Sequence, residues 1–311
     1  MNHLYIIANI QAGSGNGADV LNQAQDYLRK FRAPFITLTT EYKGHSIELT
    51  QQILAKAEQR TLDTIIVVGG DGTLHEVVAT LKKAKQTIPI IYLAAGTGND
   101  FKRTWSPNAS VESTLQQYLI HKNITTVPIF ESYNHLTKNT DVVLNSLGFG
   151  FDGTVIYEVN TMPQDAFFRQ FLNGKFAYLV NVFKAVSKLD HFDVHLTVDN
   201  QTIQLEDCQL ISLMNSPYLG GGIQLSNDIK ADEKIINVVA IKNVKPINLL
   251  KLMWQILVSK TTPAAEHYFY TKGEKVTIQI EEPILSQVDG ELLNKDQAHL
   301  TLTLTEYPFY L

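Results

Sequence analysis

The sequence predicts an α/β domain followed by a β-rich domain, from the way its apolar residues are spaced. Before about residue 127, short apolar runs alternate with segments in which apolar residues recur every three or four positions. After that point, nearly all apolar segments are strand-like and are joined by turn residues. Three glycine-rich turns, each directly after an apolar run of the first half, mark the edge at which we expect the functional site.

The first half reads as alternating strands and helices. We predict strands over 4–10, 35–40, 64–68 and 88–95, and helices over 18–32, 47–57 and 74–81. Strands that alternate with helices indicate a mainly parallel sheet with helices on both faces. Ligands of such sheets bind at the carboxyl ends of the strands, where all three glycine turns fall.

The second half is predicted to be antiparallel and sandwich-like. Its strand-like segments are DVVLNSLGFGFD, FDVHLTVD, TIQLEDCQLISLMNS, KIINVVAI, KVTIQIEE and HLTLTLTEY. Helical spacing is best over 175–189 and 247–259. The change in texture gives predicted domains over 1–127 and 128–297.

Composition limits the classes of function. The net charge of −5 over 311 residues argues against a general nucleic-acid partner, which would normally show a basic excess. A single cysteine, Cys208, excludes an internal disulfide framework and fits a reducing compartment, so we expect a cytoplasmic protein. No apolar run approaches the roughly 20 residues that span a bilayer, and any membrane contact is expected to be peripheral. The oligomeric state stays open, with a homodimer as one option.

The second glycine turn, Gly69-Gly70-Asp71-Gly72-Thr73, carries the strongest signal. Glycines and a following helix N-terminus can supply N–H donors to phosphate, but the spacing is neither that of a P-loop nor GxGxxG. Asp71 then has two functional interpretations, a hydrogen bond to a nucleotide ribose or a contact with Mg²⁺ that bridges phosphates. A simple helix cap is the structural alternative.

The other two turns strengthen the prediction of a bound anion. Residues 9–15, Asn-Ile-Gln-Ala-Gly-Ser-Gly, can form a nest of N–H groups, although many α/β proteins have a glycine there. In the third turn, Thr97 can donate to a phosphate or ribose, while Asn99 and Asp100 either orient substrate or cap the next helix. Three such turns at one edge predict one shared ligand.

Two motifs together resemble a known family. GGDGTLHEVV at 69–78, followed by GTGNDFKR at 96–103, resembles the diacylglycerol kinase catalytic-domain family, and in particular its bacterial soluble lipid kinases. Further similar segments are the Thr-x-x-x-Gly-His stretch at 40–45, NSLGFGFDGTV at 145–155, GGGIQLSNDIKADEKI at 220–235 and QVDGELL at 287–293. The first turn at 9–15 is also similar, but it lacks the family's proline and has a changed spacing. The similarity therefore runs along most of the chain.

The resemblance implies a Rossmann-like ATP-binding domain and a β-sandwich domain that carries the catalytic base, with substrate in the cleft between them. Residues 298–311 would return to the first domain. It also implies site residues, with ATP and Mg²⁺ as cofactors. The nucleotide site would contain Asn9, Thr40, Gly69, Gly70, Asp71, Gly72, Thr73, Leu74, His75, Gly96, Thr97 and Asn99. Glu291 would be the base, with Asp289 beside it in the same turn, and a structural Mg²⁺ would lie on Asp232 and on backbone oxygens near Ile229 and Lys234. The chemistry of phosphoryl transfer adds that Asp71 and Asp289 could both reach the catalytic Mg²⁺ with the phosphates.

Three departures from the family pattern stand out. Its Asp-Gly at the structural metal loop is Asp232-Glu233 here, which places that metal site in doubt if the glycine needs a positive φ. Ser226 replaces a proline in the same loop, and His75 replaces an asparagine, a change expected to have little effect. The motifs that carry the chemistry are intact.

The predicted activity is phosphorylation of a lipid hydroxyl, with diacylglycerol as the default acceptor and phosphatidic acid as the product. An NAD-kinase-like enzyme is the first alternative, because GGDGT is shared with it. A catalytically silent nucleotide-binding protein is the second, supported by Glu233 alone. Two amphipathic segments, 245–260 and 163–178, could contact a membrane surface or pack on the β-domain.

Overall fold

The computed structural model describes most of the chain. The described residues are 4–57, 64–161, 190–219, 224–225, 229–231, 233–245, 248, 252, 255 and 263–311. Within them the prediction of a mixed α/β domain followed by a β-rich domain is confirmed. Both predicted membrane-contact segments, 163–178 and most of 245–260, lie outside the described residues, as does the predicted helix at 175–189.

The N-terminal domain has a parallel sheet in the order β2-β1-β3-β4. Its elements are β1 (Leu4–Ala8), α1 (Asn16–Lys30), β2 (Phe35–Thr39), α2 (His45–Ala57), β3 (Ile65–Gly69), α3 (Asp71–Lys83), β4 (Ile90–Ala94), α4 (Asp100–Trp105) and α5 (Val111–Gln116). Alternate residues of β1 enter different cores. Tyr5 and Ile7 pack with α2 and α3, whereas Leu4 and Ile6 pack with α1. The sheet is therefore covered on both faces, as the helical spacing predicted.

The β-rich domain is built from antiparallel strands. Its elements are β5 (Thr125–Asn134), β6 (Thr140–Val143), β7 (Ser146–Gly150), α6 (Phe151–Thr161), β8 (Phe192–Val198), β9 (Gln201–Met214), β10 (Ile236–Lys242), β11 (Tyr268–Gly273), β12 (Lys275–Ile284), β13 (Ser286–Val288), β14 (Glu291–Leu292) and β15 (Asp296–Tyr310). The strands follow the order β14-β13-β7-β9-β8-β12-β15. In addition, β10 pairs with β9 and β11 with β10, while β5 pairs with β15 and β6 with β5. Its buried side chains form two apolar clusters, one that includes the fully buried Cys208 and a second around Phe151 and Val239.

The long strand β15 joins the two domains. Residues 296–303 pair with β12 of the β-rich domain, and Phe309 and Tyr310 pair in parallel with β4. Tyr307 and Phe309 are fully buried in the core of the first domain. One continuous sheet therefore crosses from the β-rich domain into the edge of the α/β domain.

Sequence periodicity did not reveal every element. The strands β5, β11, β13 and β14 and the helices α4, α5 and α6 were not predicted, because each is short or lacks a clear apolar period. Helix α6 begins inside the segment interpreted as a single strand run, at Phe151. None of the helices in the described part of the chain is both long and apolar enough to cross a membrane.

Candidate nucleotide and catalytic site

The three glycine turns meet at one edge of the parallel sheet. A Cβ atom on Gly96 would lie 2.7 Å from Cα of Gly70, so the second and third turns touch through bare backbone. The side-chain amide of Asn16, just after the first turn, donates to the carbonyl of Ala95 at 3.2 Å. The loops therefore form one surface, as a shared ligand would require.

A cavity of about 280 Å³ opens beside this surface. Five of the predicted site residues line it: Asn9, Thr40, Gly72, Thr73 and Glu291. The sequence analysis missed the rest of the lining, which consists of Gln11, Glu41, Tyr42, Lys43, Gly44, Ser46 and Glu76. Four of these seven lie inside the Thr-x-x-x-Gly-His stretch, so that motif could have been used to predict them as lining residues.

The remaining predicted nucleotide residues do not line this cavity. Leu74 is fully buried in the apolar core, so only its backbone faces the loop. Thr97 is exposed at the tip of the third turn. Asn99 has a positive φ of 54° and donates its amide to the carbonyl of Gly96 at 2.8 Å. Its Oδ1 atom is buried without a hydrogen-bond partner in the described structure, and a bound ligand could supply one.

Asp71 connects the second turn to the third. Its two carboxylate oxygens accept hydrogen bonds from the backbone N–H groups of Asp100 and Phe101, at 2.9 and 3.1 Å. These are the first residues of α4, so Asp71 satisfies N–H groups of a helix other than its own. Burial and the neighbouring charge of Asp100 raise the pKa of Asp71 to about 6. The carboxylate thus has a structural role, and it lies close to a second acidic side chain, that of Asp100.

Asp289 lies behind the cavity wall. Its carboxylate accepts hydrogen bonds from the backbone N–H groups of Leu144, Asn145 and Ser146, at 2.6 to 3.2 Å, and its side chain is fully buried. The ring of His75 on α3 supplies a fourth contact, with Nδ1 2.7 Å from Oδ2. Reaching a catalytic Mg²⁺, as expected from the chemistry of phosphoryl transfer, would break these contacts. In this geometry Asp289 supports the wall.

His75 has a larger structural part than its replacement of an asparagine suggested. Burial lowers its pKa, but the hydrogen bond and charge of Asp289, with contributions from Asp141 and Glu291, raise the pKa overall. The imidazole thereby links α3 to the β-rich domain.

Glu291 is held at the cavity by a tight hairpin. Asp289 and Gly290 form the two-residue turn between β13 and β14, and both have positive φ values, 50° and 86°. An Asp-Gly pair favours this turn, because both central residues need positive φ. The side chain of Gln287 accepts from the N–H of Gly290 at 2.7 Å and braces the turn. The backbone position of Glu291 is therefore set by this turn.

The carboxylate of Glu291 reaches the nucleotide loop. A Cβ on Gly72 would lie 2.7 Å from Oε1 of Glu291, so the absence of a side chain at position 72 makes room for it. Its other oxygen, Oε2, lies 2.5 Å from the ammonium of Lys43. A group from the β-rich domain and a loop of the α/β domain thus share one wall.

The predicted structural metal loop is described only in part. Asp232 lies outside the described residues. Ile229 is buried, and Lys234 forms an ion pair with Glu306. Glu233, which replaces the expected glycine, pairs with Lys272 at 2.6 Å. Within the described ranges, no cluster of three or more histidine, cysteine or acidic side chains is arranged to hold a metal.

Comparison with known proteins agrees with this geometry. Residues 3–131 match the model of the diacylglycerol kinase catalytic domain, and residues 145–303 match the C-terminal NAD kinase beta sandwich-like domain of the YegS type. The first match ends at residue 131 and the second begins at residue 145, so both limits lie after the predicted change in texture at about residue 127. The two matches include every predicted site residue.

Relatives and solved structures cover nearly the whole chain. "Putative lipid kinase YtlR" of Bacillus subtilis is 27% identical over 296 residues, 94% of each chain. A "Putative lipid kinase" of Staphylococcus epidermidis is 26% identical over 261 residues, 81% of this chain and 78% of the relative. A crystal structure described as a putative diacylglycerol kinase of Bacillus anthracis has a TM-score of 0.73 at 22% identity, covering 99% of this chain and 96% of that one, which shows the shared fold. The chain belongs to the diacylglycerol kinase catalytic-domain family of lipid kinases.

Proposed function

We propose that the protein is an ATP-dependent lipid kinase that transfers the γ-phosphate to a lipid hydroxyl, with diacylglycerol as the first candidate acceptor. The observation that carries this proposal is the approach of Glu291 to Gly72. A carboxylate that can accept a proton lies against the loop expected to hold the phosphates. Phosphoryl transfer needs these two parts within reach of one acceptor.

The loops fit a nucleotide. The first turn of α3 has no side-chain cap, so its N–H groups are available to phosphate oxygens at the end of β3. The bare contact between Gly70 and Gly96 lets a ligand approach backbone on two sides. The unsatisfied Oδ1 of Asn99 could accept a hydrogen bond from the same ligand.

The residues around Asp71 also fit a divalent cation carried with the nucleotide. The pKa of Asp71 is raised to about 6, first by burial and then by the charge of Asp100. A cation near these carboxylates would relieve that unfavourable charge, and each carboxylate oxygen has a lone pair beyond those used for the backbone. A bound Mg²⁺ would supply charge neutralisation to the phosphates.

The chain's own residues would then perform the transfer. Glu291 accepts the proton of the lipid hydroxyl, while the turn formed by Asp289 and Gly290 fixes its distance from the nucleotide loop. The buried contacts of Asp289 with His75 and with the backbone of 144–146 keep the two domains in register. Proximity rather than covalent chemistry is the main contribution of the protein.

The acceptor class rests on the relatives, several of which are named as lipid kinases, and on the family description. Diacylglycerol is the first candidate because the matching family model and the solved structures carry that name. The lipid would be taken from a membrane surface by peripheral contact, with the enzyme in the cytoplasm.

The test is transfer from labelled ATP with Mg²⁺ to a panel of acceptors: diacylglycerol, monoacylglycerol, sphingoid bases, ceramide, polyprenols and NAD. We expect a labelled lipid, and loss of at least about 100-fold in turnover for Glu291→Gln, in the range that a general base contributes. Glu282→Gln is the matched control, because it removes an exposed glutamate charge from β12.

Three results would contradict the proposal in different ways. Labelled NAD without labelled lipid would favour the NAD-kinase-like alternative. Nucleotide binding without transfer to any acceptor would favour a silent binding protein. Full activity of Glu291→Gln would remove the assigned base while leaving the kinase activity in place.

A further inference from the structure

The ion pair between Lys43 and Glu291 joins the two domains across the cavity. Lys43 lies in the loop between β2 and α2, and its ammonium is 2.5 Å from Oε2 of Glu291. Lys43 is 73% exposed and Glu291 36% exposed, so neither side chain is locked in place by packing. The pair occupies the carboxylate that the proposed reaction uses as its base.

The loop around Lys43 is better ordered than its exposure suggests. The rings of Tyr42 and His45 stack at 4.4 Å, and Tyr42 donates its hydroxyl to Glu48 at 2.9 Å. The ring of His45 also accepts from the N–H of Glu41 at 3.1 Å. The backbone of Lys43 is thereby fixed beside the cavity while its four-carbon stem stays free to turn.

The charge of the cavity makes this lysine informative. Among the lining residues, all of which are described, Lys43 is the only basic one, against the three acids Glu41, Glu76 and Glu291. The hydroxyl of Ser46 donates to Glu76, which keeps that carboxylate at the wall. Arg103, on α4, donates its Nε to the carbonyl of Gly98 at 2.7 Å and braces the third turn. If a triphosphate binds in this cavity, Lys43 is therefore the basic side chain of the lining that can pair with it.

Glu291 and a terminal phosphate would compete for the same ammonium. An exposed ion pair contributes little, because solvent screens it, whereas a phosphate offers more charge and three acceptor oxygens. A carboxylate oxygen that accepts from an ammonium is also less available to take a proton from an alcohol. The exchange needs only rotation of the lysine stem, with no movement of the backbone.

We propose that Lys43 is an exchangeable counter-ion, which pairs with Glu291 when no nucleotide is bound and moves to the terminal phosphate when a nucleoside triphosphate binds. The move frees Glu291 to accept the proton of the substrate hydroxyl. The base thus becomes available only when the phosphate to be transferred is present. This inference rests on the proposed kinase function, and it assigns to the Thr40–His45 motif the recognition of the terminal phosphate.

The test is a double-mutant cycle read out by binding, using Lys43→Met, Glu291→Gln and both together. The probes are a non-hydrolysable ATP analogue and ADP with Mg²⁺, measured by calorimetry. Lys43→Met should lower the affinity for the triphosphate analogue by about ten-fold or more, and the affinity for ADP much less. Glu291→Gln, which removes the competing carboxylate, should raise the affinity for the analogue by about two- to five-fold.

The double variant should show none of that tightening, because no ammonium remains to be released. Lys43→Arg should keep most of the preference for the triphosphate. Lys56→Met is the matched control, since it removes an exposed lysine from the last turn of α2 and should leave both affinities unchanged.

The outcomes separate this inference from the proposed function. Two results would show that the exchange is wrong while the kinase proposal stands, provided that the wild type binds the analogue. The first is equal affinity of wild type and Lys43→Met for the analogue. The second is an equal gain in affinity from Glu291→Gln in the wild type and in Lys43→Met. If the wild type binds neither nucleotide, the proposed function fails and this inference fails with it. An equal loss of affinity for the analogue and for ADP in Lys43→Met would indicate a general loop defect and would also overturn the exchange.

Discussion

The ring nitrogen Nδ1 of His75 lies 2.7 Å from Oδ2 of Asp289, although the two residues are 214 positions apart in the sequence. His75 belongs to the helix that follows the glycine turn, and Asp289 belongs to the hairpin turn that presents Glu291. The same carboxylate holds three backbone N–H groups between β6 and β7. One buried contact therefore sets the distance between the proposed nucleotide loop and the proposed base.

Removing His75 tests that contact. His75→Ala leaves a buried carboxylate one donor short, which we expect to lower the unfolding free energy by about 1–3 kcal/mol. His75→Asn is the control, because its amide can still donate. Urea denaturation gives the stability, and lipid phosphorylation gives the activity, which should fall with the alanine variant more than with the asparagine variant.

The effect of His75 should also depend on pH. The pKa of His75 is raised in the folded state, so protonation stabilises the fold below the ordinary histidine pKa of about 6.5, and this contribution is lost as pH rises through the raised value. The stability difference between wild type and His75→Ala should therefore be larger at pH 5.5 than at pH 9. An equal difference at both values would contradict the assigned interaction.

Gly72 is the second test, because any side chain there enters the space of Glu291. The Cβ of Gly72→Ala would lie 2.7 Å from Oε1, so the carboxylate must shift. Alanine inside a helix is otherwise favourable by about 0.5–1 kcal/mol relative to glycine. We expect unchanged or slightly higher thermal stability, together with at least about a ten-fold loss of turnover, since small misplacements of reacting groups are costly.

A control for Gly72→Ala lies two residues earlier. A Cβ on Gly70 would meet its nearest neighbour, Cα of Gly96, at 3.5 Å, which is an ordinary contact. Gly70→Ala therefore places a methyl group in the same loop without displacing Glu291. Because Gly70 belongs to the proposed nucleotide site, we expect its effect on nucleotide affinity and not on turnover at saturating nucleotide. Equal turnover in wild type and Gly72→Ala would show that the position of Glu291 does not limit the reaction.

Asp71 combines a helix cap with a charge, and two substitutions separate them. Asp71→Ala removes both acceptors for Asp100 and Phe101, whereas Asp71→Asn keeps one oxygen. We expect the alanine variant to be less stable than the asparagine variant by about 0.5–2 kcal/mol, the usual range for a cap. Both should lose kinase activity if the charge serves the nucleotide and its cation. Equal thermal stability of the two variants at pH 7.5 would mean that the cap contributes nothing.

Local signals in the sequence predicted the loops of this site, and long-range contacts completed it. The turns at Gly69–Thr73 and Ala95–Phe101 follow apolar strand runs, so their place at the edge of a parallel sheet follows from spacing alone. The Asp289-Gly290 hairpin is also a local signal, since that dipeptide favours positive φ at both positions. What each side chain contacts could not be predicted in the same way.

The interactions that were missed all depend on the tertiary fold. Asp71 could be recognised as a candidate cap, but the helix it caps begins 29 residues later. Lys43 looked like an ordinary loop lysine, because its partner Glu291 reaches it only when the β13–β14 hairpin of the β-rich domain lies against the first domain. Pairing of β5 with β15 likewise joins segments that are far apart in the chain, and neither strand carries a mark of its partner.

Asp152 provides a last prediction, on the pH dependence of stability. It is buried in the first turn of α6 and accepts from the side chain of Gln287 at 2.7 Å, next to the turn that holds Glu291. Burial raises the pKa of Asp152 to about 7. Because the folded state holds this proton more tightly than the unfolded chain, ionisation should destabilise the fold as pH rises from about 4 to about 7.

Asp152→Asn should remove that part of the pH dependence. With a shift from 3.8 to about 7, wild type should lose on the order of 4 kcal/mol relative to the variant across this range, since each pKa unit corresponds to about 1.4 kcal/mol. Urea denaturation at pH 4.5, 6 and 8 measures it, with Asp19→Asn as the control, an exposed acid in the first turn of α1. Parallel pH profiles for wild type and Asp152→Asn would show that Asp152 is ionised at little cost, and that the hydrogen bond from Gln287 offsets its burial.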